Sequence, residues 1–88
     1  MSKTGMFKNK NGKLNNISGH NIATIRKAAT PKLSQRALAD KLQLHGIDVD
    51  KNAIQRIESG QRFVTDIELA AIALVLNVPV QSLLSLST

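Results

Sequence analysis

The residues from Asp50 to Gly60 combine apolar and hydrogen-bonding side chains at helical spacing. Ile54 and Ile57 fall on one face of a short helix, and Gly60 follows as a residue suited to a left-handed C-terminal stop. The opposite face carries side chains that form several hydrogen bonds: Lys51, Asn52, Gln55 and Arg56. Amide side chains pair with adenine N6 and N7, and basic ones pair with guanine O6 and N7 or with phosphate. This face therefore suits the major groove of DNA, although polar residues on a helix are usually just hydrated.

Length and composition restrict the chain to one small domain with a simple core. Its 88 residues are 42% hydrophobic, and Phe7 and Phe63 are the only aromatic residues. Cysteine is absent, which excludes disulfides and thiolate metal sites and suits a cytoplasmic protein. No apolar run is long enough for a membrane span, and the N-terminus lacks the apolar block of a secretory signal. We therefore expect a cytoplasmic protein that does not enter a membrane.

Positive charge is concentrated in the first three quarters of the chain. The net charge is +6, and residues 1–15 hold four lysines and no acid. Residues 16–64 hold eight bases against four acids, whereas residues 65–88 hold two acids and no base. We expect one end of the domain to face a polyanion and the other to pack or self-associate. Composition alone would also fit a ribosomal or membrane-surface protein.

The N-terminal residues 1–16 are rich in lysine and asparagine and lack helical periodicity. They are predicted to form a flexible basic arm, followed by a single domain over residues 17–88. A weak hairpin around Asn11-Gly12 is the alternative, but an isolated two-stranded hairpin is marginal in water.

Stop and capping signals define three helices in the first part of the domain. The first is predicted at about 17–29, because Thr30-Pro31 then stops it. The second begins at Ser34 and gives way to a connection over residues 44–49, where the apolar period is lost. Asp50 caps the third helix, which carries the polar face described above.

Two further helices are predicted at the C-terminal end. Thr65 and Glu68 form a capping box that opens a fourth helix, which ends at Asn77. A short fifth helix spans about residues 79–84. No convincing strand is present, so the fold class is all-α.

The order of these motifs resembles the helix-turn-helix domain of the phage repressor and Cro family, also called the Xre-type family. The resemblance rests on LSQRALADKL, then AIQRIESGQR, then a capped helix and a short final one, and it covers about residues 17–84. It implies a compact five-helix, lambda-repressor-like fold. The connection near residues 45–49 is longer than the family's usual tight turn, and so is the link near residues 30–32.

The resemblance also implies roles for individual residues. Base edges would be read by Lys51, Asn52 and Gln55, and Arg26 and Glu58 would tie the first helix to the third. The DNA backbone would be contacted by Gln35, Arg56, Gln61 and Arg62 from the resemblance, and by Lys27 and Arg36 from their charge. Asp50 also matches a base-facing position, but an acid near phosphate is better explained as a helix cap.

Catalytic and metal-binding functions have little support in the sequence. His45, Asp48 and Asp50 could be grouped as metal ligands, but such residues on an exposed connection are more often hydrated. There is no supported Ser, His and Asp arrangement and no glycine-rich phosphate loop. We therefore expect no enzyme activity, no metal and no cofactor.

The expected function is that of a sequence-specific regulator of transcription, a repressor that binds double-stranded DNA at the nucleoid. A single small reading face contacts few bases, so a weak symmetric dimer on a palindromic operator is expected. Its interface is predicted in the apolar C-terminal segment, at Val80, Leu83, Leu84 and Leu86. The alternative is an antitoxin-like or antirepressor-like module that binds a protein partner through this segment.

Overall fold

The computed structural model describes residues 14–85, in which all regular elements are helices. They are α1 (Gly19–Ala28), α2 (Gln35–Leu44), α3 (Lys51–Glu58), α4 (Asp66–Leu76) and α5 (Val80–Leu84). The predicted all-α fold class is confirmed, and each helix lies where it was expected. The first helix begins at Gly19, two residues later than the start predicted at about residue 17.

Three helices begin at side-chain caps that the sequence predicts. Ser34 Oγ accepts a hydrogen bond from the Ala37 amide at 3.0 Å, and Asp50 Oδ1 accepts one from the Ala53 amide at 2.8 Å. Thr65 and Glu68 form a complete capping box: the Thr65 hydroxyl accepts from the Glu68 amide, and the Glu68 carboxylate accepts from the Thr65 amide. These caps satisfy amides that have no partner within the first turn of a helix.

The long connection between α2 and α3 is folded onto the domain. Gly46, at φ 81°, donates to the Gln43 carbonyl, and the Ile47 amide donates to the Leu42 carbonyl, which closes α2 with the paired bonds of a Schellman motif. Gln43 Nε2 then donates to the Val49 carbonyl at 2.7 Å. Val49 is buried in the core and Ile47 packs against it, so the connection is anchored at these two residues.

The core draws on every helix. Its fully buried large side chains are Ile22 of α1, Leu38 and Leu42 of α2, Ile54 and Ile57 of α3, Ile72 of α4 and Leu83 of α5. These aliphatic side chains fix the positions of all five helices around one centre.

The N-terminus of α1 meets the C-terminus of α3 in close contact. A Cβ atom on Gly19 would collide with the carbonyl oxygen of Ile57, so glycine allows this approach. Asn16 joins the two ends: its Oδ1 accepts from the Gly19 amide at 2.7 Å, while its Nδ2 donates to the Ile57 carbonyl at 3.0 Å. Asn16 therefore serves both helix ends at once.

Part of the predicted arm belongs to this contact. Leu14 lies over Gly60, and the Asn15 amide donates to the Gly60 carbonyl at 2.7 Å. Residues 14–16 are thus attached to the domain, and they are not part of a flexible arm. Residues 1–13 lie outside the described residues, so the arm itself stays a prediction.

The C-terminal segment differs from its expected role as an exposed interface. Leu83 is completely buried in the core, and Val80 is half-buried against it. Asn21 Nδ2 of α1 donates to the carbonyls of Leu83 and Ser85. Assigning Leu83 to a dimer interface was wrong, because the single domain already buries it. Leu84 is 40% exposed. Leu86 lies outside the described residues.

Candidate nucleic-acid interface

The outward face of α3 presents the predicted base-reading residues to solvent. Lys51, Asn52 and Gln55, here called the reading face, are all exposed, while Ile54 and Ile57 on the opposite side are buried. Within residues 14–85, no hydrogen bond occupies the three side chains of the reading face. Among the described residues, nothing competes with an external partner for their donors and acceptors.

A buried ion pair holds α3 against α1. Arg26 Nε donates to Glu58 Oε2 at 2.6 Å, and Arg26 Nη2 donates to Glu58 Oε1 at 3.0 Å. The two side chains are only 10% and 7% exposed. Removing one partner would leave an unpaired buried charge, which typically costs about 3–5 kcal/mol. The pair therefore fixes α3 relative to the rest of the domain.

Gln35, expected at the DNA backbone, takes part in the same network. Its Nε2 donates to Glu58 Oε1 at 2.9 Å, so the first residue of α2 is linked to the last residue of α3. The amide nitrogen carries two hydrogens, and this bond uses one of them. The second hydrogen is consistent with the predicted contact to phosphate, which stays a prediction.

A basic cleft lies beside the N-terminal end of α3. Among its lining residues are the predicted backbone residues Lys27, Gln35 and Arg36, together with Lys51 of the reading face. Lys32 lines it as well, and sequence analysis did not assign it a role. The N-terminal end of α2 also favours the binding of anions, because the first backbone N–H groups of a helix point out of its end and carry partial positive charge. We call this the N-terminal cleft.

A second cleft lies beside the C-terminal end of α3, here called the C-terminal cleft. It brings together the predicted backbone residues Arg56, Gln61 and Arg62 with the start of α4. Phe63 also lines it with 61% of its surface exposed, although no role was predicted for it. The sequence did contain a signal for Phe63: it is one of only two aromatic residues in the chain, and it follows the polar residues Gln61 and Arg62.

Arg62 is paired with Glu68 at the edge of this cleft. Its Nη1 and Nη2 donate to the two carboxylate oxygens at 3.0 and 3.1 Å. The hydrogen bond from Arg62 is the main cause that lowers the pKa of Glu68, and the same bond raises the pKa of Arg62. Glu68 therefore neutralises part of the positive charge that was expected to bind phosphate. Arg56 in the same cleft is exposed.

The two clefts share α3 as a common wall. Lys51 lines one and Arg56 lines the other, so basic groups lie beside both ends of the reading face. The major groove of B-DNA is about 12 Å wide and is bordered by phosphates on both sides, and it admits an α-helix. The arrangement can place one short helix against bases with cations near both borders.

Two other possibilities find no support in the described part of the chain. Residues 14–85 contain no group of three or more His, Cys, Asp or Glu residues arranged to hold a metal ion. Over the same residues, no helix has both the length and the apolar character required to cross a membrane.

The fold and the interface define a helix-turn-helix protein, with α2 and α3 as its central pair. A family model described as helix-turn-helix matches residues 22–83, and the chain belongs to this family, the Xre-type helix-turn-helix family. The resemblance inferred from the sequence is confirmed. No curated protein and no solved structure matches the chain. The family is one of DNA-binding regulators, so DNA binding and transcription regulation are its general role.

Proposed function

We propose that the protein is a sequence-specific transcriptional repressor that reads the major groove of double-stranded DNA with α3. The supporting observation is the exposed reading face, which lies between two clefts that carry basic residues. Lys51, Asn52 and Gln55 read base edges, because their side chains can form the paired hydrogen bonds that distinguish bases. Binding of this kind across a promoter would block transcription.

The proposed backbone contacts supply affinity without sequence preference. They are assigned to Lys27, Gln35, Arg36, Arg56, Gln61 and Arg62, to which the N-terminal cleft adds Lys32. Phosphates are identical along DNA, so these contacts position the protein and carry no sequence information. Two copies on a palindromic operator would double the number of bases that are read.

A second candidate is a module that binds another protein, as an antitoxin-like or antirepressor-like partner would. The observation that favours it is exposed apolar surface on α4, where Ile67 and Leu74 are 69% and 65% exposed. In that case DNA binding would be auxiliary.

Selection of bound sequences from a random duplex pool tests the main proposal. We expect enrichment of one palindromic motif, followed by a loss of about 1–3 kcal/mol on that motif for Asn52→Ala or Gln55→Ala. Both variants should bind random DNA as the wild type does. Arg36→Ala should weaken binding to the selected motif and to random DNA alike, because Arg36 lines the N-terminal cleft.

Gln81→Ala is the matched control, since Gln81 is exposed on α5 and lines neither cleft. It should leave both affinities unchanged. Equal losses on selected and random DNA for Asn52→Ala and Gln55→Ala would contradict base reading by these residues. Absence of any enriched sequence would favour the second candidate.

A further inference from the structure

The outer face of α4 is apolar along its whole length. Ile67 and Leu74 are 69% and 65% exposed, Ala70 is exposed and Ala71 is half-buried between them. Their spacing of three, four and seven residues places them on one face of the helix. These four residues are called the α4 stripe, and no charged side chain interrupts it.

The inner face of α4 is apolar as well. Ile72 and Ala73 are buried in the core, and Leu69 and Leu76 pack against it. From Leu69 to Leu76 every residue of α4 is apolar, and a helix that is apolar all round is normally buried on all sides. In the single domain, α4 lacks a cover for its outer face among the described residues.

We infer that the α4 stripe is the contact between two copies of this chain, which cross in antiparallel orientation at Ala70 and Ala71. The order of the stripe is large, small, small, large. A two-fold axis through its centre therefore brings Ile67 of each chain opposite Leu74 of the other. The alanines allow the helices to approach closely, and such an interface uses the same patch on both chains.

The distribution of charge favours self-association through this surface rather than through other surfaces of the molecule. The chain carries a net charge of +6, but residues 65–88 contain no lysine or arginine. Two copies thus meet with less repulsion here than at the basic clefts. Asp66 and Glu68 lie at the N-terminal end of α4, so an antiparallel pair holds the acids of the two chains at opposite ends.

The size of the stripe sets the strength of the contact. One face of one helix is smaller than the roughly 800 Å² per partner of a standard stable interface. We therefore expect monomers and dimers in exchange at micromolar to millimolar concentrations. This inference deepens the proposed binding of two copies to a palindrome, but the self-association can be measured without DNA.

Analytical ultracentrifugation of the full chain without DNA tests the contact. The wild type should associate reversibly, and Leu74→Glu should lower the association constant about tenfold or more, because a carboxylate would be buried in an apolar contact. Leu44→Glu is the matched control: it makes the same change at a leucine that is 86% exposed on α2. The control should associate like the wild type.

Mixing two variants tests the antiparallel orientation. Ile67→Lys and Leu74→Glu should each associate poorly alone, and their mixture should form heterodimers because residue 67 of one chain meets residue 74 of the other. Failure of the mixture to recover association would overturn this orientation. Recovery also shows that both variants are folded.

Two further outcomes would overturn the inference. One is a wild type that stays monomeric at millimolar concentration, which would leave the stripe to a different protein. The other is an equal loss of association in Leu44→Glu and Leu74→Glu. Affinity for a duplex with a single half-site distinguishes failure of the dimer contact from failure of the proposed function. This affinity should be the same in Leu74→Glu as in the wild type. A wild type that does not bind the half-site would contradict the proposed DNA reading but not the dimer contact.

Discussion

Glu68 connects the cap of α4 to the loop that follows α3. Its Oε1 accepts from the Thr65 amide and from Arg62 Nη1, both at 3.0 Å, while its Oε2 accepts from Arg62 Nη2. The capping box is predictable from local sequence, whereas the ion pair is an addition made by the fold. One carboxylate thus stabilises a helix start and holds the C-terminal cleft in place.

The lowered pKa of Glu68 predicts a pH-dependent contribution to stability. Its folded-state pKa lies below the ordinary value of 4.5, mainly through the hydrogen bond from Arg62. The contribution is therefore complete above that ordinary value and is lost as pH falls through the folded-state pKa. Glu68→Gln retains a capping side chain but removes the charge. Its free energy of unfolding should accordingly depend less on pH in the acid range than that of the wild type.

Urea unfolding at a series of pH values from neutral into the acid range measures this difference. Asp66→Asn is the control, because it removes an acid from the same turn of α4 whose side chain forms no hydrogen bond within the described residues. It should preserve more of the wild-type acid dependence. Identical pH profiles for Glu68→Gln and the wild type would contradict the role of the ion pair.

At the scale of elements, the approach of α1 to α3 depends on the absence of a side chain at Gly19. Replacing glycine by alanine inside a helix usually stabilises it by about 1 kcal/mol. Here the new Cβ would meet the carbonyl oxygens of Ile57 and Glu58, which belong to the backbone and cannot rotate away. We expect Gly19→Ala to destabilise the domain by about 1–3 kcal/mol despite its better helix propensity.

Chemical denaturation measures this change in the free energy of unfolding. Thr24→Ala is the control, since Thr24 is exposed in the middle of the same helix. It improves helix propensity without a new contact and should stabilise slightly. A stabilising effect of Gly19→Ala would show that the two helix ends do not meet as closely as described.

The connection between α2 and α3 also acts at this scale. The sequence shows that it is long, and the structure shows that Ile47 and Val49 return it to the core. Asp50, the cap of α3, therefore follows directly after a buried residue.

At the scale of the whole molecule, the attachment of residues 14–16 determines where the basic segment of residues 1–13 joins the domain. Asn15 Nδ2 donates to the Gln61 carbonyl, and Asn16 Nδ2 donates to the Arg62 carbonyl. Both carbonyls belong to residues of the C-terminal cleft. The chain therefore leaves the described domain next to a proposed phosphate-binding surface.

We expect the four lysines of residues 1–13 to contribute to DNA affinity through release of counterions. Deletion of residues 1–13 should reduce the slope of log affinity against log salt concentration by up to about 3–4 units per bound chain. Replacing Lys3, Lys8, Lys10 and Lys13 by glutamine should have the same effect, because it removes charge and preserves length. Binding titrations at several salt concentrations measure the slope, and an unchanged slope would show that the segment does not contact DNA.

The sequence by itself determined the helices and the family. Ser34, Asp50 and Thr65 cap their helices through bonds to amides three residues away, and Gly60 ends α3 with a positive φ. These interactions are local, so the identity and spacing of nearby residues are sufficient to predict them. The exposed reading face followed from the same regularity, because Ile54 and Ile57 allow only one side of α3 to face the core.

Only the tertiary structure decided which apolar residues of the C-terminal part are buried. Since α4 is apolar on both faces, its pattern could not show that Ile67 and Leu74 face outward or that Leu83 of α5 fills the core. The attachment of Asn16 to Ile57 and Arg62 joins positions 41 and 46 residues apart, and it has no local signature. Such contacts arise from how complete helices pack together, and the physical reason is that burial depends on the neighbours a side chain meets in space.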